Sequence, residues 1–303
     1  MAQTLILPAF AKINLQLRVL DKRDDGYHNL DTIYQTVSLH DTISISRIDG
    51  PHVVLSCNDR SLPANENNLV IRAARMLQSR YGADKGAHIR LEKRIPMQAG
   101  LGGGSSDAAA TLIALTHLWQ INTPREDLIA LGAGLGADVS FFFCGGTARG
   151  NGIGDRIQPL DDALAKFLLI IKPNAKISTV DAYRSLDERS LTSQNAKTIL
   201  LSSQPTADSD KNDSPNLIND FEAVVFELEP EIRRARNALL NAGAGTALLT
   251  GSGSAVFGIF DSEDAQRRAI QTIELETGWR VFPCRMVARR QYRDAFSDFN
   301  LFS

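Results

Sequence analysis

The sequence predicts an α+β protein of two domains, on three observations. Strand-like and helix-like stretches mix along the chain without the regular alternation of a parallel α/β sheet. A chain of 303 residues, 43% of them hydrophobic, holds more core material than one domain of ordinary size uses. A glycine-dense loop, Gly100-Leu101-Gly102-Gly103-Gly104, stands between an alternating stretch and a run of helix formers.

From Ala11 to Val19 apolar and polar residues alternate strictly, which predicts a strand with one packed face. Lys12 and Asn14 are neighbours on its other face, and the pattern leaves open whether that face has a function; Gln16 and Arg18 are expected to be solvated. Asp21 to Asn29, punctuated by Asp25-Gly26, reads as a turn or hairpin tip. Tyr27 and His28 follow it, either as surface decoration or as a stacking ring beside a hydrogen-bonding edge. Strands are expected at 42–46 and 53–56. A helix carrying Leu69, Ala73, Leu77 and Tyr81 is expected after Glu66-Asn67-Asn68. Alternation from His88 to Ile95 leads into the glycine loop, and Leu112, Ile113, Leu115 and Leu118 mark the helix beyond it.

Pro124 opens a short helical stretch. Asp138 then sits between a glycine-rich approach and the aromatic run Phe141-Phe142-Phe143. It reads either as an N-cap for a helix beginning near Val139 or as a carboxylate held by rigid packing. The glycines from Gly145 to Gly154 suggest a domain crossover. Phe167–Ile171 is a buried strand, and Ile177-Ser178-Thr179 precedes a helix with Tyr183. Ser190 to Ser214 is polar and reads as a surface excursion. Phe221, Val224, Val225, Leu228 and Ile232 mark one amphipathic helix. Ala247–Thr250, a Gly-Ser-Gly-Ser turn and Ala255–Phe260 read as strand, turn and strand. That turn is either a plain hairpin or a second backbone surface near a phosphate. Val281 to Ala288 closes the fold as a strand.

The segment Pro96-Met97-Gln98-Ala99-Gly100-Leu101-Gly102-Gly103-Gly104-Ser105-Ser106-Asp107 carries the most chemistry. Glycine places backbone where a side chain would clash, so several N–H groups can turn inward around an anion. Ser105, Ser106 and Asp107 are good caps for the helix that follows. Such a helix start offers unpaired N–H groups and about half a positive charge, a phosphate site. The bland alternative is a turn before a core helix. The loop has no lysine of a Walker A motif and not the spacing of a dinucleotide fingerprint. The rest of the chain has no protein-kinase signature set.

Net charge −2 argues against a protein devoted to nucleic acid, and Arg289, Arg290 and Arg293 read as solvated surface. Cys57, Cys144 and Cys284 are scattered and the five histidines lack ligand spacing, so neither a zinc site nor disulfides are expected. With no signal peptide, a reducing, cytoplasmic setting is expected. No apolar run approaches the length of a membrane span.

Three separated pieces, Ala11-Lys12-Ile13-Asn14-Leu15, Pro96–Ser106 and Leu249-Thr250-Gly251-Ser252-Gly253-Ser254-Ala255, resemble the three motifs of the galactokinase, homoserine kinase, mevalonate kinase and phosphomevalonate kinase (GHMP kinase) superfamily. Asp25-Gly26-Tyr27-His28, Glu66-Asn67-Asn68-Leu69-Val70 and Gly136-Ala137-Asp138-Val139 point to its branch acting on a cytidyl diphosphate-linked methylerythritol. The resemblance spans nearly the whole chain. It implies a two-domain GHMP-kinase fold with the active site in the cleft between domains, here divided as 1–160 and 161–303. It implies ATP and Mg²⁺ as cofactors and a small-molecule alcohol substrate, with no nucleic acid and no membrane. Asp138 would be the catalytic carboxylate and Lys12 its partner. Pro96, Met97, Gln98, Ala99, Gly100, Leu101, Gly102, Gly103, Gly104, Ser105 and Ser106 would wrap the ATP phosphates, with Asn68 near the adenine. Tyr27 and His28 would hold the cytosine, with Tyr183 on its other face. Asn14 and Thr179 would line the methylerythritol side.

Overall fold

The computed structural model describes residues 4–82, 84–192, 217–274 and 276–299. Most of the polar excursion read at Ser190–Ser214 lies outside them. Two sheets are stacked against helices. In the first, β1 (Thr4–Lys22) and β2 (His28–Ile48) form a long antiparallel hairpin whose tip is the Asp-Gly turn. β2 also pairs with β4 (Gly86–Glu92), and β3 (Val53–Cys57) runs parallel to β4 at the edge. On another stretch β2 pairs with β5 (Thr147–Asn151), which carries β6 (Arg156–Pro159). The second sheet has β7 (Phe167–Lys172), β9 (Thr246–Leu249), β10 (Val256–Phe260) and β11 (Arg280–Arg285) in the order β11-β7-β10-β9. The two-residue β8 (Ile218–Asn219) returns to lie parallel to β1.

Helices α1 (Leu69–Tyr81), α2 (Gly103–Leu118) and α3 (Arg125–Leu135) pack their apolar residues into the first core, which holds Leu77, Leu112, Leu115, Trp119 and Phe141. A second core lies between the second sheet and α4 (Thr179–Thr192), α5 (Glu222–Leu228), α6 (Pro230–Asn241) and α7 (Glu263–Ile273). A third core joins the two. Ala11, Ile13 and Leu15 of β1 meet Ile95, Ala99, Leu101, Leu168, Ile170 and Phe257 there. The apolar alternation of β1 is therefore the seam between the sheets. The chain then returns across that seam: α8 (Arg289–Asp294) sets Tyr292, and the turn after it Phe296, in the first core.

Several expectations need correction. The helix read through Phe221–Ile232 is two helices, α5 and α6. Pro230 starts the second, and Glu229 before it is extended at φ −135°, ψ 80°, since a residue preceding proline is pushed out of the α region. The Gly145–Gly154 run is no crossover but the β5–β6 hairpin of the first sheet. Gln16 is buried and donates to Asp31 Oδ2 at 3.0 Å, because the polar face of β1 is covered by protein rather than water. Arg289 is not solvated surface either: its guanidinium donates to the Leu160 carbonyl at 2.7 Å and to that of Thr147. α6, α7 and α8 were not separately legible.

Ser105, Ser106 and Asp107 do not cap α2. The cap is Gly102 at φ +68°, with no side-chain hydrogen bond to the helix start. All three lie inside the helix, Ser106 and Asp107 buried.

Candidate active site

The polar face of β1 meets three loops in one cleft. Its cavity of about 790 Å³ is lined by Lys12, Asn14, Tyr27, His28, Tyr34, Asp138, Thr179 and Tyr183, together with Gly100, Gly102 and Ser105. A second cavity of about 340 Å³ adjoins it across Gln98, Gly100, Gly102 and Ser105. This one is lined by Pro96 through Ser105 and by Asn68, Lys93 and Asp107. Of the loop residues expected around a phosphate, only Ser106 lines neither cavity. It is buried at the first turn of α2, its N–H bonded to the Gly102 carbonyl.

The glycine loop is shaped by what it touches. Gly100 sits at φ +75°, and a Cβ there would lie 2.0 Å from the Thr250 carbonyl oxygen. A Cβ on Gly102 would press on Lys12 Cγ and Phe142 Cζ, each at 3.0 Å. Ala255 N–H donates to the Ala99 carbonyl and Lys12 N–H to that of Leu101. The Gly251–Ser254 turn is thus no plain hairpin: its backbone lies against the glycine loop. Among the described residues no side chain satisfies the first N–H groups of α2. An uncapped helix start that opens into a cleft suits an anion.

Lys12, 4% exposed at its side chain, stands 3.4 Å from Asp138 Oδ2. That is an ion contact rather than a hydrogen bond. The short bond of Lys12 Nζ goes to Asn14 Oδ1 at 2.8 Å. Asn14 is engaged at both ends of its amide: its Oδ1 also accepts from Gly251 N–H at 3.0 Å, and its Nδ2 donates to Thr32 Oγ1 at 2.8 Å. It therefore ties Lys12 to the Gly251 turn.

Asp138 lies in the 3-10 helix Ala137–Phe143, after the cap position Gly136, and its side chain is one-third exposed. The N-cap alternative is excluded. Its Oδ1 accepts from the hydroxyl of Tyr34 at 3.0 Å. Tyr34, opposite Asn14 on β2, is buried, and burial followed by the charge of Asp138 pushes its phenol well above the usual range. The hydroxyl stays protonated and donates. Tyr34 was not singled out in the sequence; only strand register places it here.

At the other end of the cavity Tyr27 is 63% exposed, while His28 is buried and stacks on Tyr183, ring centroids 5.0 Å apart and planes at 17°. Tyr183 thus faces His28 directly. Tyr183 also meets Phe221 in a perpendicular arrangement, ring centroids 4.8 Å apart, and burial raises its hydroxyl to about 12. Thr179 shares a hydrogen bond with Ser252 at 3.0 Å. Asn68 caps α1, its Oδ1 accepting from Val70 N–H at 3.0 Å, and its Nδ2 donates to the Pro63 carbonyl. It lines the second cavity with its amide already engaged.

Sequence reasoning also missed a buried cluster under the loop. Lys93 donates to Asp107 Oδ2 at 2.8 Å and to Asp41 Oδ2. Asp41 accepts in turn from the N–H groups of Arg94 and Ile95. Burial pushes Asp107 above the ordinary carboxylate range, against the pull of Lys93. No short motif joins positions 41, 93 and 107. Among the described residues no group of three His, Cys, Asp or Glu could hold a metal, and no helix is long and apolar enough to cross a membrane.

Comparison with known proteins gives this geometry a family. Residues 68–146 match the GHMP kinases N terminal domain and residues 207–276 the GHMP kinases C terminal domain. A protein of Chlorobium chlorochromatii, named 4-diphosphocytidyl-2-C-methyl-D-erythritol kinase, is 42% identical over 281 residues, covering 92% of this chain and 96% of its own. A protein of the same name from Solibacter usitatus is 43% identical over 290 residues, covering 95% and 90%. A crystal structure of 4-(cytidine 5'-diphospho)-2C-methyl-D-erythritol kinase superposes with a TM-score of 0.75 at 32% identity, covering 93% of this chain and 99% of that one. L. major mevalonate kinase, solved with R-mevalonate, shares the fold at a TM-score of 0.74 and 14% identity, covering 95% and 97%. With the uncapped helix start and the Lys12–Asp138 pair facing one cleft, the chain belongs to the GHMP kinase family, in its 4-diphosphocytidyl-2-C-methyl-D-erythritol kinase branch.

Proposed function

We propose that this chain transfers the γ-phosphoryl group of ATP to the 2-hydroxyl of 4-diphosphocytidyl-2-C-methyl-D-erythritol, giving the 2-phosphate and ADP, in the non-mevalonate route to isoprenoid precursors. The observation that carries the reading is that Lys12 and Asp138 line the larger cavity, which shares Gly100, Gly102 and Ser105 with the smaller one. One cavity is walled by the glycine loop, and the other reaches to Tyr27, His28 and Tyr183. The triphosphate fits the uncapped start of α2, held by loop N–H groups, and the acceptor alcohol fits beside Asp138.

Phosphoryl transfer asks for positioning and charge stabilisation more than for strong base chemistry. Oδ1 of Asp138 is held by Tyr34, and Oδ2 meets Lys12 only at ion-contact distance. Oδ2 is thus the oxygen that orients the hydroxyl and takes its proton late. Lys12, pinned by Asn14, offsets charge on the moving phosphoryl group. Mg²⁺ would enter on the nucleotide phosphates and would neutralise phosphate charge. A reducing, cytoplasmic setting fits the three free cysteines. We read 1–160 and 161–303 as the two domains, each carrying one wall of the cleft.

Tyr34→Phe is expected to lower kcat about tenfold, the scale of one hydrogen bond to a charged group, with KM for ATP little changed. Steady-state kinetics checks it, and an unchanged kcat removes Tyr34 from the positioning role. The whole reading is tested by ADP release with Mg·ATP and, separately, the cytidyl substrate, mevalonate and homoserine. Turnover with the cytidyl substrate alone supports it. Turnover with another alcohol keeps the phosphate loop and Asp138 but discards the base pocket. Folded protein that binds ATP and turns over none of the three sinks the assignment.

A further inference from the structure

Beside His28, at the base end of the cleft, stands a carboxylate that the reaction does not use. Asp187 lies on α4, two helical turns from Thr179, and contacts the β1–β2 hairpin. Its Oδ1 is 2.7 Å from His28 Nε2, and its Oδ2 accepts from Lys22 Nζ at 2.5 Å. Burial alone would raise its carboxyl, but the hydrogen bonds from Lys22 and His28 outweigh this and hold it below the ordinary range. An ionised carboxylate only accepts. The proton between Asp187 and His28 therefore sits on Nε2, and Nδ1 is the ring nitrogen left for a further partner. The imidazole is fixed in orientation as well: its side chain is 6% exposed, and it is stacked on Tyr183. No hydrogen bond to Nδ1 from the described residues accompanies these contacts.

We infer that Asp187 is a specificity-determining positioning residue, fixing His28 as a hydrogen-bond acceptor toward the substrate base so that the cleft selects a ring with an amino group at C4 over one with a carbonyl there. Cytosine presents a donor at C4 and uracil an acceptor. An acceptor held in place pairs with the first and faces the second lone pair to lone pair, so the cytidyl diphosphate is kept and the uridyl diphosphate rejected. The inference rests on the proposed reading of Tyr27 and His28 as the base pocket.

The test compares Asp187→Ala, Asp187→Asn, Asp187→Glu and His28→Ala. KM for the cytidyl substrate, kcat, KM for ATP, and the competition constants of CDP and UDP are measured for each. Asp187→Ala is expected to raise KM for the cytidyl substrate about tenfold and to cut the CDP-over-UDP preference by a similar factor, the size of one misdirected hydrogen bond. Its kcat and KM for ATP should stay within about twofold, because Lys12 and Asp138 are untouched. Asp187→Asn, whose amide can donate as well as accept, should lose most of the same preference, and Asp187→Glu should restore part of it. ¹⁵N NMR of the imidazole should show an unprotonated Nδ1 in the native protein and a mixture of tautomers in Asp187→Asn. If His28→Ala loses cytidyl affinity while the Asp187 variants keep both KM and preference, the inference is overturned and the base pocket stands. If His28→Ala also leaves them unchanged, the base-pocket reading fails with it.

Discussion

Asp138→Asn is expected to lower kcat about a thousandfold, within the range for removing a positioned general base, while KM for ATP changes by only a few-fold. The substitution keeps the acceptor that Tyr34 needs at Oδ1 and loses the charge at Oδ2 that faces Lys12. Because the side chain is one-third exposed, the melting temperature should move little. Asp138 is not a helix cap, so no capping bond is lost. ADP release at saturating substrates, nucleotide titration and a thermal melt together check this. Near-native turnover in a folded variant would remove the carboxylate from the chemistry and leave the loop and Lys12 to act by positioning alone.

Lys93→Ala is expected to destabilise the fold by about 3–5 kcal/mol near neutral pH, the cost of breaking a buried ion cluster from one side. The lysine is itself held above its ordinary range: burial lowers it, but Asp107 and Asp41 together outweigh burial. Without it, Asp107 is left buried with a second carboxyl and an Oδ1 that already has no hydrogen-bond partner. The direction with pH follows from Asp107. Its carboxyl is pushed above the unfolded value, and loss of the lysine pushes it further. Such a group contributes stability while protonated, and that contribution is lost as pH rises through the folded pKa. The deficit relative to the native protein should therefore shrink between about pH 8 and about pH 5. Urea unfolding of both proteins across that range measures it. A deficit that stays constant or grows toward acid would show that lost packing, not charge, sets the cost.

Much of the architecture is written in local patterns. The alternation of Ala11–Val19, the periodicity of Leu69–Tyr81 and the apolar run Phe167–Ile171 each became the expected element. Local signals failed where a neighbour decided the outcome. Pro230 split one apolar periodicity into two helices. The glycines after Gly145 served a hairpin and not a crossover. The polar face of β1 looked solvated at Gln16 yet is buried, since period two tells that two faces differ and not what covers them.

The division at the site follows the same line. From the sequence alone, the glycine spacing identified a backbone that can turn N–H groups on an anion, and the resemblance it carries named Lys12 and Asp138. That is chemistry encoded within a few adjacent residues. The tertiary structure decided which groups hold them. Tyr34 reaches Asp138 from 104 positions away, Asn14 takes Gly251 from 237 away, and Asp187 takes His28 from 159 away. Hydrogen bonds of that kind depend on a match within a few tenths of an ångström between distant segments: the first core seats Tyr34 against the Val139–Phe143 segment, and the third core brings β1 to the second sheet. No periodicity or motif on either segment contains that distance; only tertiary packing sets it.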